Sequence, residues 1–303
     1  MGMFKIVLFA TADIALPTLE YVHKHHDLVA VVTMPDKPRE RGGSLTMTAV
    51  KKRALELGVH VYDPVSPKED SFVAAMQSLN PDLFVVFAYG HILRKNLLDI
   101  PKLGPINLHT SILPYYRGAA PIERAILAGE TETGISVMKM DIGMDTGPVY
   151  LIKKIPIHPD MDAAALKENL ATLSKEALDE VLKQIASHTA HLNEQEHSLA
   201  TYAPKISKEE LDLHFGTKEK MLLKVRGLVS YGGVKIVLPN QEILKIFKAQ
   251  ASPVEISKNV EIRDGKLLLK AENGSLELLE VQLPGKKRMQ IKEFLNGHTN
   301  KIN

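Results

Sequence analysis

The feature that most constrains this chain is an alternation repeated through its first half. Short continuous apolar runs stand at 4–9 (FKIVLF), 28–33 (LVAVVT), 83–88 (LFVVFA) and 105–109 (PINLH). Between them lie stretches with helical spacing. Residues 14–25 place Ile14, Leu16, Leu19 and Val22 on one helical face, and 48–57, 69–79 and 119–128 read the same way. A strand that is apolar on both faces must be covered on both, and a crossover helix between two such strands leaves them parallel. The expected architecture is α/β, with an open, mostly parallel, Rossmann-like sheet. Two more strands are predicted at 133–140 and 148–155, around a glycine-rich loop, then a long helix at 162–187.

The texture changes near residue 188. Residues 188–201 lack an apolar period. Short helices are expected at 207–213 and 217–226. Five short apolar or alternating runs follow, at 234–238, 243–249, 260–263, 266–270 and 275–282, separated by Pro, Asn and Gly. That pattern predicts a smaller antiparallel β-barrel, OB-like in kind. The chain of 303 residues thus divides into an α/β domain at 1–188, a linker at 189–206 and a barrel at 207–303, in keeping with roughly 150 residues per domain.

Composition removes several classes of function. There is no cysteine, which excludes a disulfide framework, a thiolate zinc site and a thiol nucleophile. No apolar run reaches the ~18 residues of a membrane span. The N-terminus lacks the long apolar segment and cleavage site of a signal peptide. Gly2 is followed by Ile6 where a myristoylation pattern needs Ser or Thr. No membrane partner and no obligate protein partner is evident, and the expected compartment is the cytoplasm. The net charge of +2 hides an asymmetry: residues 1–202 carry −4 and residues 203–303 carry +6. A basic final third suits a polyanionic partner or a lysine-rich solvated surface.

Ligands of an open parallel sheet bind beyond the carboxyl ends of its strands. The loop after the first strand, Ala10-Thr11-Ala12-Asp13, has no glycine, so the dinucleotide fingerprint is missing. The segment Asn107-Leu108-His109 puts an amide and an imidazole on one face of a strand, because residues i and i+2 share a face. They form either a reactive pair or a hydrogen-bonded polar strand end. Asp141-Ile142-Gly143-Met144-Asp145-Thr146-Gly147 has glycines that could turn a carboxylate inward, or it is an ordinary loop. No H-E-x-x-H occurs, and His23, His25 and His26 fall at the end of the first predicted helix, where they complement its dipole or sit in solvent, so no metal is expected. A long Pro/Gly-rich basic loop runs from Met34 to Ser44.

Taken together these segments resemble a known family. Asn107-x-His109 with Ser111-Ile112-Leu113-Pro114, then Arg117-Gly118-Ala119-Ala120-Pro121, then Asp141-x-Gly143-x-Asp145-Thr146-Gly147 is similar to the 10-formyltetrahydrofolate-dependent formyltransferases. Phe87-Ala88-Tyr89-Gly90 resembles their pterin-side loop. Pro35-Asp36-Lys37-Pro38 with Arg41-Gly42 is similar to the tRNA-contacting insertion of members that formylate methionyl-tRNA. Tyr202-Ala203-x-Lys205-Ile206 and Pro284-Gly285-Lys286-Lys287 resemble the linker and C-terminal signatures of those members. Three segments depart from the pattern: Ala10-Thr11-Ala12 replaces Gly-Thr-Pro, Ala49-Val50-Lys51 lacks a proline, and Val229-Ser230-Tyr231-Gly232 replaces Asn-Pro-Trp-Pro.

The resemblance implies formyl transfer from 10-formyltetrahydrofolate to the amine of initiator methionyl-tRNA, without a metal. A small amine, such as a nucleotide sugar or glycinamide ribonucleotide, is the alternative acceptor. Asn107, His109 and Asp145 would be catalytic. Phe87, Ala88, Tyr89, Gly90, Ser111, Ile112, Leu113, Pro114 and Asp141 would hold the folate. Lys37, Arg41, Lys286, Lys287 and Arg288 would meet tRNA.

Overall fold

A computed structural model describes residues 3–38 and 45–302. Arg41 lies outside the described residues. Two compact units are present. The first comprises Met1–Gly118, Glu132–Ile155 and Lys167–Ala203, the second Ala119–Thr131, Pro156–Leu166 and Pro204–Asn303.

The first unit is built on a seven-stranded sheet: β1 (Lys5–Ala10), β2 (Asp27–Val32), β3 (Val61–Tyr62), β4 (Leu83–Phe87), β5 (Pro105–His109), β6 (Glu132–Lys139) and β7 (Val149–Pro156). Their order across the sheet is β7-β6-β5-β4-β1-β2-β3. The ladders β1–β2, β1–β4, β2–β3 and β4–β5 are parallel, and β5–β6 is antiparallel. Helices α1 (Leu16–His25), α2 (Ala49–Glu56) and α3 (Asp70–Ser78) fall between the early strands. Pro17 stands in the first turn of α1, where its missing N–H costs nothing. The Thr48 hydroxyl caps α2 by accepting the Lys51 amide at 3.0 Å.

Ile6, Val7, Leu8 and Phe9 of β1 are all buried, which explains the unbroken apolar run. Val7 and Phe9 pack on one side with Phe84, Val86 and the α3 residues Phe72, Val73 and Met76. Lys37–Pro38, within the basic segment, pairs antiparallel with Leu45–Thr46.

In the second unit, Val234–Val237, Ile243–Ser252, Gly274–Gln282, Lys266–Ala271 and Val260–Arg263 lie side by side in that order, and Met289–Gln290 pairs with Gly274–Gln282. All the pairings of this sheet are antiparallel. The register between Ile243–Ser252 and Gly274–Gln282 shifts on either side of Lys248. Such bulges sharpen the twist and curl a sheet around its own core. That core holds Leu228, Val234, Leu244, Ile246, Leu267, Leu276, Leu278, Val281 and Phe294. Residues 207–213, expected to be a helix, make only a 3-10 turn at Glu209–Leu211. The reason is a competing partner, since the Leu213 amide donates to the Lys235 carbonyl at 2.8 Å. Among the described residues no helix is long and apolar enough to cross a membrane.

Candidate active site

Strand β5 opens on Pro105, a position where no ladder donor is lost. Ile106 and Leu108 face one side of the sheet and are buried. Asn107 and His109 face the other, opposite Met138 and Ser136 of β6. The loop after β6 brings Asp145 onto that face. Its Oδ1 accepts from Asn107 Nδ2 at 3.4 Å, and its Oδ2 stands 3.6 Å from His109 Nδ1. The Gly118 amide donates to the same Oδ2 at 2.8 Å. One carboxylate therefore reaches both polar side chains that the strand period places together.

His109 is 6% exposed. Its Nε2 lies 2.9 Å from the Tyr116 carbonyl oxygen. A carbonyl only accepts, so Nε2 carries a proton and Nδ1 is the nitrogen left to gain one, facing Asp145. Tyr116 has φ of 59°, a left-handed turn that aims its carbonyl back at the ring.

The glycines of the Asp145 loop act differently from the expectation. Positive φ falls on Asp145 itself, at 55°. That conformation costs a non-glycine residue about 1 kcal/mol, and aspartate tolerates it better than most. Gly147 is required for space: a Cβ there would run into the Lys139 carbonyl oxygen. Asp141 stays exposed and closes the loop locally, its Oδ1 accepting from the Gly143 amide at 2.9 Å and the Thr146 hydroxyl at 2.6 Å.

The two segments expected to hold folate are ordered in distinct ways. Ser111 and Leu113 are buried; Ile112 and Pro114 are half-buried. The Ser136 hydroxyl ties this segment, donating to the Ser111 carbonyl at 2.7 Å and accepting the Leu113 amide at 3.0 Å. The Leu113–Pro114 peptide is cis. In the other segment, Phe87 and Tyr89 are buried while Ala88 and Gly90 are exposed, with φ of 49° and 99°. The Thr11 hydroxyl donates to the Tyr89 carbonyl at 2.6 Å and accepts the Met34 amide at 3.1 Å, so three loops meet at one side chain. Burial pushes the Tyr89 phenol up to about 12. Tyr89 Oη and His91 Nε2 are buried without a partner. Unpaired buried polar atoms are uncommon, and His91 in this loop fits a polar ligand held there.

Sequence reasoning missed Gln195, which contacts the Asp145 loop, and gave no role to Arg117 or Ser136. Arg117 and Gly118 lie within a quoted motif, but nothing local points from there to Asp145. Gln195 lies in a stretch with no period at all. Among the basic residues, Lys286 and Lys287 are exposed. The Arg288 guanidinium is 4.3 Å from the Phe247 ring centroid and donates to Glu280 at 2.6 Å.

The fold and two family models define a class, the formyl transferases. The family described as formyl transferase matches residues 5–182, and the formyl transferase C-terminal domain matches residues 205–299. The methionyl-tRNA formyltransferase of Dictyoglomus turgidum is 44% identical over 97% of this chain and 96% of its own length. That of Geobacter metallireducens is 39% identical over 98% and 96%. The chain belongs to the methionyl-tRNA formyltransferase family. In fold it is also similar to an N-formyltransferase of Helicobacter canadensis solved with folinic acid and dTDP-3-aminofucose. That match has a TM-score of 0.65 at 20% identity, covering 91% of this chain and 99% of that one.

Proposed function

We propose that this protein transfers the formyl group of 10-formyltetrahydrofolate to the free amine of initiator methionyl-tRNA, in the cytoplasm. The formylated product starts translation. The observation that carries the reading is the single Asp145 carboxylate set against both Asn107 and His109, in a chain 44% identical to a methionyl-tRNA formyltransferase across nearly its whole length.

The folate co-substrate supplies a formyl group already activated on nitrogen, and the protein's residues handle charge and protons. Asn107 Nδ2 has two hydrogens. One points to Asp145, and the second serves negative charge developing on the formyl oxygen, an interaction worth ~2.7–4 kcal/mol where such donors have been removed. His109 takes the proton released by the attacking amine at Nδ1, where the new positive charge meets Asp145, and returns it to N10 of the folate as the bond between N10 and the formyl carbon breaks and tetrahydrofolate leaves. Asp145 orients the ring and stabilises its charged form, as the carboxylate of a catalytic triad does. Phe87 to Gly90, Ser111 to Pro114 and Asp141 hold the folate.

Residues 1–188 carry this chemistry, 207–303 meet the tRNA, and 189–206 join them. Lys37, Arg41, Lys286 and Lys287 contact phosphates, and Arg288 adds the donors that Glu280 leaves free. The test is formyl transfer measured in parallel to methionyl-tRNA, a nucleotide amino sugar and glycinamide ribonucleotide. Turnover with methionyl-tRNA alone is the expected outcome. Efficient transfer to either small amine, with none to tRNA, overturns the reading.

A further inference from the structure

Asp145 is held from behind by two buried polar side chains. Gln195 is 8% exposed and Arg117 is 2% exposed, low values for a carboxamide and a guanidinium. Gln195 Nε2 donates to two main-chain carbonyls, those of Asp145 at 2.9 Å and Gly147 at 2.7 Å. Its Oε1 accepts from Arg117, at 2.6 Å from Nη2 and 3.2 Å from Nε. Carbonyls only accept and a guanidinium only donates. One orientation of the carboxamide satisfies all four bonds. A glutamate of equal length would keep Arg117 but turn an oxygen toward two oxygens.

Arg117 is fixed in turn. Its amide donates to the Thr201 carbonyl at 2.9 Å, its Nη2 meets His197 Nδ1 at 2.9 Å, and Arg117–Gly118 runs parallel to Tyr202–Ala203. The neighbouring Gly118 amide is the donor on Asp145 Oδ2. Gly118 has φ of 120°, and a Cβ there would come within 2.9 Å of the Ala203 carbonyl oxygen. The strand pair therefore approaches closely enough to fix Arg117 and Gly118 together. One short segment holds the Asp145 side chain directly and its main chain through Gln195.

We propose that Gln195, oriented by Arg117, is a positioning residue that sets the Asp145 carboxylate against Asn107 and His109. The proposal rests on the reading of Asp145 as part of the transfer machinery. Gln195 acts through its hydrogen bonds to Arg117 and to the main chain. It pins the carbonyls on both sides of Thr146, so the left-handed turn at Asp145 stays populated.

The experiment measures kcat and KM for formyl transfer to methionyl-tRNA by the full chain. The variants are Gln195→Ala, Gln195→Glu and Arg117→Lys, with Asp145→Asn alone and combined with Gln195→Glu; thermal melting establishes that each is folded. Gln195→Glu preserves side-chain volume, and Arg117→Lys loosens the carboxamide from the opposite side, so the test does not depend on the alanine variant folding. The expected result is a kcat lower by about 10²-fold, the cost of roughly 1 Å of misplacement, with KM for both substrates unchanged. In the Asp145→Asn background, Gln195→Glu should add almost nothing, because the group it positions is already gone. Wild-type kcat in folded Gln195→Glu, with Asp145→Asn impaired, overturns the proposal and leaves the role of Asp145 intact. Losses that multiply in the double variant also overturn it, since Gln195 then acts by another route. Full turnover in Asp145→Asn removes the reading of Asp145, and the positioning proposal falls with it.

Discussion

Asp145 Oδ2 stands 3.6 Å from His109 Nδ1, beyond hydrogen-bond length but close enough for a proton on the ring to meet the carboxylate. His109→Ala and Asp145→Ala should each lower kcat by ~10²–10⁴, the range lost with a positioned acid or base. Circular dichroism should show both variants folded. A folded variant with near wild-type turnover removes that residue from the mechanism.

Metal should be irrelevant to the reaction. The sequence has no cysteine and no zinc-type ligand spacing. Activity measured before and after exhaustive treatment with EDTA should be equal. Loss on chelation, restored by one divalent ion, would make Asp141 and Asp145 candidate ligands.

The basic turn after Pro284 makes two separable predictions. Lys286 and Lys287 are exposed, so Lys286→Ala with Lys287→Ala should make tRNA binding less salt-dependent, by ~0.7–0.9 in slope for each phosphate left without its lysine. Their melting temperature should stay unchanged. Arg288 stacks on Phe247 and pairs with Glu280, so Arg288→Ala should reduce stability by about 1 kcal/mol as well. Titrations of tRNA binding across salt, run beside thermal melts, separate the two effects.

A pH dependence follows from Glu210. The Arg124 side chain bonded to it, with Oε1 at 3.0 Å from Nη2, and the Ser207 amide at 2.8 Å hold its carboxyl below the usual glutamate value. Burial opposes them. A lowered carboxylate pKa adds stability above the ordinary glutamate value near ~4.3, and that stability is lost as pH falls through the folded value. Glu210→Gln should therefore destabilise the chain by about 1 kcal/mol near neutral pH. The difference should vanish in strongly acidic solution. Denaturant melts across pH check the sign, and a deficit that grows on acidification would contradict it.

What the sequence determined by itself is what covalent geometry repeats locally. Side chains alternate across a strand and recur every third or fourth residue along a helix. That was enough to read the buried run of β1, the crossover helices and the short barrel strands, and to put Asn107 and His109 on one face. It was not enough to show that 207–213 would give up helical bonds to reach Lys235. Nor did it show which residue of the glycine-rich loop would turn, or that Gly147 is needed because a Cβ there would run into the Lys139 carbonyl oxygen. Only the tertiary structure decided that Asp145 meets Asn107 across 38 positions of chain, and that Gln195 holds the Asp145 carbonyl across 50 and Arg117 across 78. These bonds join segments with no common period. They exist because each buried carbonyl, carboxamide and guanidinium needs a partner, and only packing brings those partners within reach.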